Sequence, residues 1–121
     1  MILLDKFYTL NSLKEDNNVL EAVISIDPDH AIFKGHFPGN PVTPGVVQME
    51  IVKELVSTYL KREVSLKTMG NCKFLAILNP QESSTIIVKL NLTTTENNSI
   101  KVSGQLANDS TVFMKIQAEY C

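Results

Sequence analysis

His36 and Glu50 are the two side chains in this sequence whose types and spacing suggest acid–base chemistry. The stretch from Gly35 to Gly45, Gly-His-Phe-Pro-Gly-Asn-Pro-Val-Thr-Pro-Gly, holds three prolines and three glycines. A mere connection does not need that much backbone constraint; it holds a loop in one shape. The loop delivers His36 at one end and a helix start at the other, where backbone N–H groups carry partial positive charge. Gly45 has no side chain there to block a close approach. A base, an oxyanion site and a carboxyl acid are the parts needed to move a proton next to a carbonyl. Alone, a loop histidine is more often a surface residue, and Glu50 reads as a solvated carboxylate on the polar arc of its helix. The constrained backbone between them favours the functional reading.

The surrounding elements must hold this loop and helix in place. From Gly45 to about residue 61 the pattern is helical. Met49, Ile51, Val52, Leu55, Val56, Tyr59 and Leu60 share one face, and Glu50, Lys53, Glu54, Ser57 and Lys61 share the other. Pro44 suits the first turn and Lys61-Arg62 the negative end. Before the loop, Leu20, Ala22, Ile24 and Ile26 alternate with Glu21, Val23, Ser25 and Asp27 as in a half-buried strand. Asp27 then caps a short helical turn that starts at Pro28 and runs through about Phe33. After the helix come four strands, at about 64–78, 83–94, 100–106 and 112–120. Asn97-Asn98 and Asn108-Asp109 turn the chain between the last three. The order is one or two strands, one main helix, then four strands joined by short turns, which predicts antiparallel neighbours. The economical packing is an α+β domain over 1–121 in which an antiparallel sheet of five or six strands curls around the helix. Covering a sheet edge by pairing two subunits predicts a dimer.

The totals bound the rest. At 121 residues, with 44% hydrophobic and 20% charged residues, the chain makes one globular domain and not a disordered segment. A net charge of −2 without a basic stripe excludes nucleic acid as the main partner. The N-terminal apolar run is too short for a signal peptide and no stretch is long enough to span a bilayer, so the expected location is cytoplasmic. Cys72 and Cys121 lack metal-ligand spacing and are expected as free thiols, and His30 as a surface residue with no ligand role. Three glycosylation sequons are chance matches in polar turns.

Gly35-His36-Phe37-Pro38-Gly39-Asn40-Pro41-Val42, then Pro44-Gly45-Val46 and Glu50 fourteen positions after the histidine, resemble the active-site signature of the FabZ-like β-hydroxyacyl-acyl-carrier-protein dehydratases. These belong to the hotdog fold, a long helix wrapped by an antiparallel sheet. The resemblance is close over residues 30–50 and looser from Lys73 to Pro80. It implies dehydration of a 3-hydroxyacyl thioester to the trans-2-enoyl thioester. The acyl chain rides on the phosphopantetheine arm of acyl carrier protein, and no metal or redox cofactor takes part. His36 would take the C2 proton and Glu50 would protonate the departing 3-hydroxyl. Gly45, Val46, Phe37, Pro38 and Gly39 would bind substrate and oxyanion. The family draws its histidine and its acid from different subunits, so the solvated arc carrying Glu50 becomes an interface in a homodimer or dimer-based oligomer. Lys34, Lys53, Lys61 and Arg62 are candidates to receive the acidic carrier protein.

The sequence departs from that family in two places. Met1 to Leu10 stands where fatty-acid-pathway members carry a helix and a His-Arg-Tyr-Pro-Phe-like segment. Ile51-Val52-Lys53-Glu54 stands where Ala-Met-Ala-Gln is common. Glu54 puts a second carboxylate one turn from Glu50, placed to raise its pKa or disturb its orientation. The departures point to a specialised pathway, such as polyene or other polyketide-like synthesis, as much as to fatty-acid synthesis. A hotdog thioesterase and a catalytically inactive acyl-binding or partner subunit are the competing functions.

Overall fold

The computed structural model describes residues 1–121 as one sheet and one main helix. Strands β1 (Tyr8–Asp16) and β2 (Val19–Ile26) precede the 3-10 helix η1 (Ala31–Lys34) and helix α1 (Gly45–Leu60). Strands β3 (Leu66–Phe74), β4 (Thr85–Thr94), β5 (Ile100–Ala107) and β6 (Val112–Tyr120) follow. The six strands form a single antiparallel sheet in the order β1-β2-β4-β5-β6-β3, which leaves β1 and β3 as its edges.

Side-chain alternation decides which face of the sheet meets the helix. Leu20, Ala22, Ile24 and Ile26 of β2, Ile86, Val88, Leu90 and Leu92 of β4, Val102 and Leu106 of β5, and Met114, Ile116 and Ala118 of β6 are all buried. Against them α1 places Ile51, Val52, Leu55 and Val56, each fully buried. Removing side chains of this size from water contributes roughly 1.5–3 kcal/mol apiece, so this contact fixes where α1, and with it Glu50, must lie. The turns are built locally. Asn17 and Asn18 both take left-handed φ (52° and 65°) in the β1–β2 hairpin, a conformation asparagine tolerates. Asn108 Oδ1 accepts the N–H groups of Ser110 and Thr111 to turn β5 into β6. Gly104 is required by close approach, since a Cβ there would run into Lys89 O and lie 2.9 Å from Leu90 Cα on β4.

Five sequence expectations change. The run at 64–78 is a strand only to Phe74. Leu75 and Ile77 are exposed, and Leu78 is buried, accepting the N–H of Thr43 at 2.9 Å. Asp27 does not cap a helix: its Oδ1 takes the N–H of Asp29, and η1 begins after His30, whose Nδ1 accepts from Ile32 N at 3.1 Å. His30 is therefore a half-buried cap, edge-on to Phe7 with ring centroids 5.2 Å apart. Pro44 precedes the first helical turn as the N-cap residue, without a side-chain cap bond. The supposed polar arc of α1 is also partly interior, for Ser57 and Glu54 are 4% and 2% exposed. Ser57 Oγ is occupied by the N–H of Val64. Cys72 and Cys121 are free, and burial pushes the Cys72 thiol above its ordinary range.

Candidate active site

The loop between η1 and α1 has one shape because its backbone bonds to itself. Phe37 and Asn40 exchange both main-chain hydrogen bonds, at 2.9 and 2.8 Å, and Val42 N donates to His36 O at 2.7 Å. Pro38 and Gly39 are the central pair of that turn. Gly39 has φ 73°, the value a type II turn demands at its third position, and Pro38 supplies the fixed φ before it. The His36–Phe37 peptide is cis. His36 is exposed at the end of this turn, and its ring lies 5.1 Å from that of Phe37, itself 52% exposed. Further along, Thr43 N is tied to Leu78 O and Thr43 O accepts Gln48 Nε2 at 3.2 Å, so the loop is anchored to α1 from within. Gln48 is 3% exposed, and its Oε1, like Thr43 Oγ1, is buried without a partner in the chain. Sequence reasoning missed this anchor, although a glutamine among valines at a helix start was a visible irregularity.

At the start of α1, Val47 N and Gln48 N both turn back to Pro44 O, while the N–H groups of Gly45 and Val46 find no acceptor in the chain. Two unpaired donors at the positive end of a helix are able to receive a polarised or negatively charged oxygen. The reason for Gly45 differs from the one its position suggests. A Cβ there would sit 2.6 Å from Phe74 Cζ, so the glycine first makes room for the half-exposed Phe74 ring.

Glu50, on the second turn of α1, lines a cavity of about 300 Å³ with Val46, Met49, Lys53, Ser65, Leu66, Met69 and Tyr120. Burial in this largely apolar setting, and then the Glu54 carboxyl one turn along α1, hold the Glu50 carboxyl above the usual carboxylate range. Lys53 and the Met1 amine pull the other way. The Tyr120 phenol in the same cavity is pushed up to about 12, chiefly by burial and then by the charges of Cys72 and Glu50.

Glu54 itself is enclosed. Its Oε2 accepts the N–H groups of Ile2 (3.2 Å) and Leu3 (3.0 Å), and its Oε1 accepts Leu4 N–H (2.9 Å) and the Tyr8 hydroxyl (3.1 Å). The N-terminal segment is thereby strapped to α1. Tyr8 is buried beside Glu54, and that burial, then the Glu54 charge, drives its phenol far above the ordinary range.

Of the sequence-predicted residues, the structure brings Glu50, Val46 and the Gly45 N–H to one end of α1. It places Pro38 and Gly39 on a different cavity, of about 320 Å³, with His30, Phe33 and Lys34. No hydrogen bond or ion pair joins His36 to Glu50 within the chain, and His36 lines neither cavity. Beside Glu50's cavity, the β3 edge and the residues around it expose Val46, Leu66, Phe74, Leu75 and Ile77, each between 47% and 74%. Such a strip on an unpaired strand is the kind of surface another chain covers.

One helix cradled by a six-stranded antiparallel sheet, with its polar loop at the helix start, defines a hotdog-fold protein. The chain belongs to the ApeI-like family, described as ApeI dehydratase, whose model matches residues 12–114. The FabZ 3-hydroxyacyl-acyl-carrier-protein dehydratase of Rickettsia africae is 31% identical over 54% of this chain and 59% of its own length, so the match spans little more than half of that relative. Among solved structures, the dehydratase heterocomplex ApeI:P from Xenorhabdus doucetiae superposes with a TM-score of 0.68 at 21% identity, covering 93% of this chain and 96% of that one. A phenylacetic acid degradation-related putative thioesterase from Ralstonia eutropha does so with 0.64 at 15%, covering 93% and 83%. At these identities the two structural likenesses carry the fold alone.

Proposed function

We propose that the protein dehydrates a 3-hydroxyacyl thioester, carried on the phosphopantetheine arm of an acyl carrier protein, to the trans-2-enoyl thioester. The observation that carries this reading is Glu50: a carboxyl held above the usual carboxylate range in a largely apolar cavity, one turn from two unoccupied helix N–H groups. In the reaction, the thioester oxygen accepts hydrogen bonds from Gly45 and Val46 N–H, which acidifies C2. An imidazole nitrogen of His36 takes the C2 proton, the electron pair forms the C2–C3 double bond, and the C3–O bond breaks as Glu50 gives its proton to the departing hydroxyl. Water leaves, and the two protein groups exchange protons through solvent to reset. The reading uses no metal or redox cofactor.

In this reading the site is composite: His36 shares neither a hydrogen bond nor a cavity with Glu50 within one chain, and the loop of one subunit faces the Glu50 cavity of the other across the exposed β3 edge. The partner in this reading is a second copy of the chain. Lys53, which lines the Glu50 cavity, and exposed Lys34, Lys61 and Arg62 are the candidates to receive an acidic carrier protein. The departures at Met1–Leu10 and at Ile51–Glu54 favour a specialised pathway, such as polyene or other polyketide-like synthesis, at least as much as fatty-acid synthesis.

Incubation with a 3-hydroxyacyl-carrier-protein thioester, followed by mass spectrometry of the acyl group, tests the reading. Interconversion of hydroxyacyl and enoyl thioesters is expected. Free acid with release of the carrier thiol would make the protein a thioesterase, and no turnover by the assembled protein would make it an inactive acyl-binding or partner subunit.

A further inference from the structure

We propose that Glu54, fixed as a carboxylate by the amides of residues 2–4 and the Tyr8 hydroxyl, is a positioning residue that keeps Glu50, one helical turn away, protonated. The argument rests on which atoms donate. All four contacts to Glu54 come from N–H or O–H groups, two on each oxygen, and the side chain is 2% exposed. That set fits the acceptor-only, ionised form. A protonated Glu54 would have to turn one oxygen into a donor, yet three of its partners are amides that can only donate, and the Tyr8 hydroxyl, which could accept, shares Oε1 with the Leu4 N–H. Glu50 and Glu54 lie one helical turn apart on α1, so a charge held on Glu54 disfavours a second charge on Glu50. With Glu54's oxygens claimed by four donors and its charge fixed, the proton belongs on Glu50.

The same conclusion follows from charge. Glu50 is only partly covered, yet its carboxyl is held above the ordinary range, with burial and Glu54 as the raising influences. The other ionisable groups around the pair are Tyr8 from β1, Asp5 and the Met1 amine from the N-terminal segment, Lys53 from α1, and Tyr120 from β6. Lys53 and the amine favour ionised Glu50, so without Glu54 the cavity would hold its acid less firmly. The N-terminal segment thus does more than pack: by stabilising charge on Glu54 it sets the protonation of its neighbour. The role in turnover rests on the proposed general-acid function of Glu50, but the proton distribution can be measured without it.

The test follows the side-chain carboxyl carbons of Glu50 and Glu54 by NMR in 13C-glutamate-labelled protein. Signals are assigned with Glu50→Gln, and the pH profile of kcat/KM is recorded in parallel. In Glu54→Gln the Glu50 titration is expected to move to lower pH. A general acid is lost as pH rises through its pKa, so the alkaline limb of the rate profile should move the same way, with a loss of about tenfold at pH 8 and less at pH 6. Glu54→Asp, which keeps the charge, should restore part of that limb. Tyr8→Phe removes one donor without changing core volume, and should transfer part of the pair's titration from Glu50 to Glu54 even where Glu54→Gln fails to fold. An unchanged Glu50 titration in folded Glu54→Gln, or an unchanged division between the two carbons in Tyr8→Phe, would overturn the inference. A Glu50 titration that moves while the rate limb stays would leave the proton placement standing and remove Glu50 as the acid.

Discussion

Replacing Gly45 with alanine separates the room its missing side chain leaves for Phe74 from its proposed part in receiving the thioester oxygen. The new Cβ would lie 2.6 Å from Phe74 Cζ, 2.9 Å from Cε2 and 3.0 Å from Cε1, where ordinary contact begins at 3.4 Å, so the ring must retreat by about 0.8 Å. Phe74 is 50% exposed on an edge strand, and nothing but solvent opposes that movement on its open side within the chain. The cost is about 1 kcal/mol, and the lower unfolded-state entropy of alanine offsets roughly 0.4–1 kcal/mol of it. Unfolding entropy of about 2.1 cal/mol/K per residue over 121 residues gives ~0.25 kcal/mol/K. A net change within about 1 kcal/mol therefore keeps Tm within about 4 °C of wild type, read by circular dichroism. Turnover should suffer more. A methyl group beside the two free N–H groups, or the displaced ring over them, obstructs the thioester oxygen, and losing such a donor costs about 100- to 1,000-fold in kcat. Combining Gly45→Ala with Phe74→Ala tells the two obstructions apart, since recovery points to the ring. Rates within twofold of wild type for folded Gly45→Ala would show that the thioester oxygen is not received at the helix start.

Other substitutions give distinct signatures. His36→Ala should abolish dehydration and leave Tm within about 4 °C, because the side chain is exposed and carries no packing load; comparable turnover by the folded variant would remove His36 from the mechanism. Glu50→Gln should lose at least ~100-fold in kcat, the scale of a general acid, and an unchanged rate would return Glu50 to the status of a solvated carboxylate. Gly104→Ala forces a methyl group between β4 and β5 against Lys89 O and Leu90. Overpacking of about 1–3 kcal/mol plus a weakened ladder bond of about 1 kcal/mol should lower Tm by roughly 8–16 °C, and a change under 3 °C would mean the strands can part freely.

Much of the fold could be read from the chain because its strands are one-sided. β2, β4, β5 and β6 each bury one face, so apolar and polar residues alternate and the period is visible. The position of α1 was legible for the same reason, through Ile51, Val52, Leu55 and Val56. Edge strand β3 was harder. It buries little on either face, and the apolar Leu75 and Ile77 beyond it imitate a continuing strand while lying exposed. Glu54 could not be read as interior, because its partners are 46 to 52 residues away and three of them are backbone amides, which no side-chain pattern advertises. Within the candidate site, Gly39 was legible as a constrained turn glycine. Gly45's steric neighbour was not, since Phe74 reaches it from β3, outside any local spacing.

The composite site is tested most directly by mixing two inactive proteins. His36→Ala and Glu50→Gln are each made as homodimers, then combined by co-expression or by denaturation and refolding, with subunit exchange confirmed by mass spectrometry of differently tagged chains. About half the dimers should be mixed, and each mixed dimer carries one site with both wild-type groups and one with neither. Dehydratase activity should return to about one quarter of wild type, one restored site of two in half the molecules. If exchange is complete and activity stays at the level of the separate variants, His36 and Glu50 do not work together across two copies of this chain.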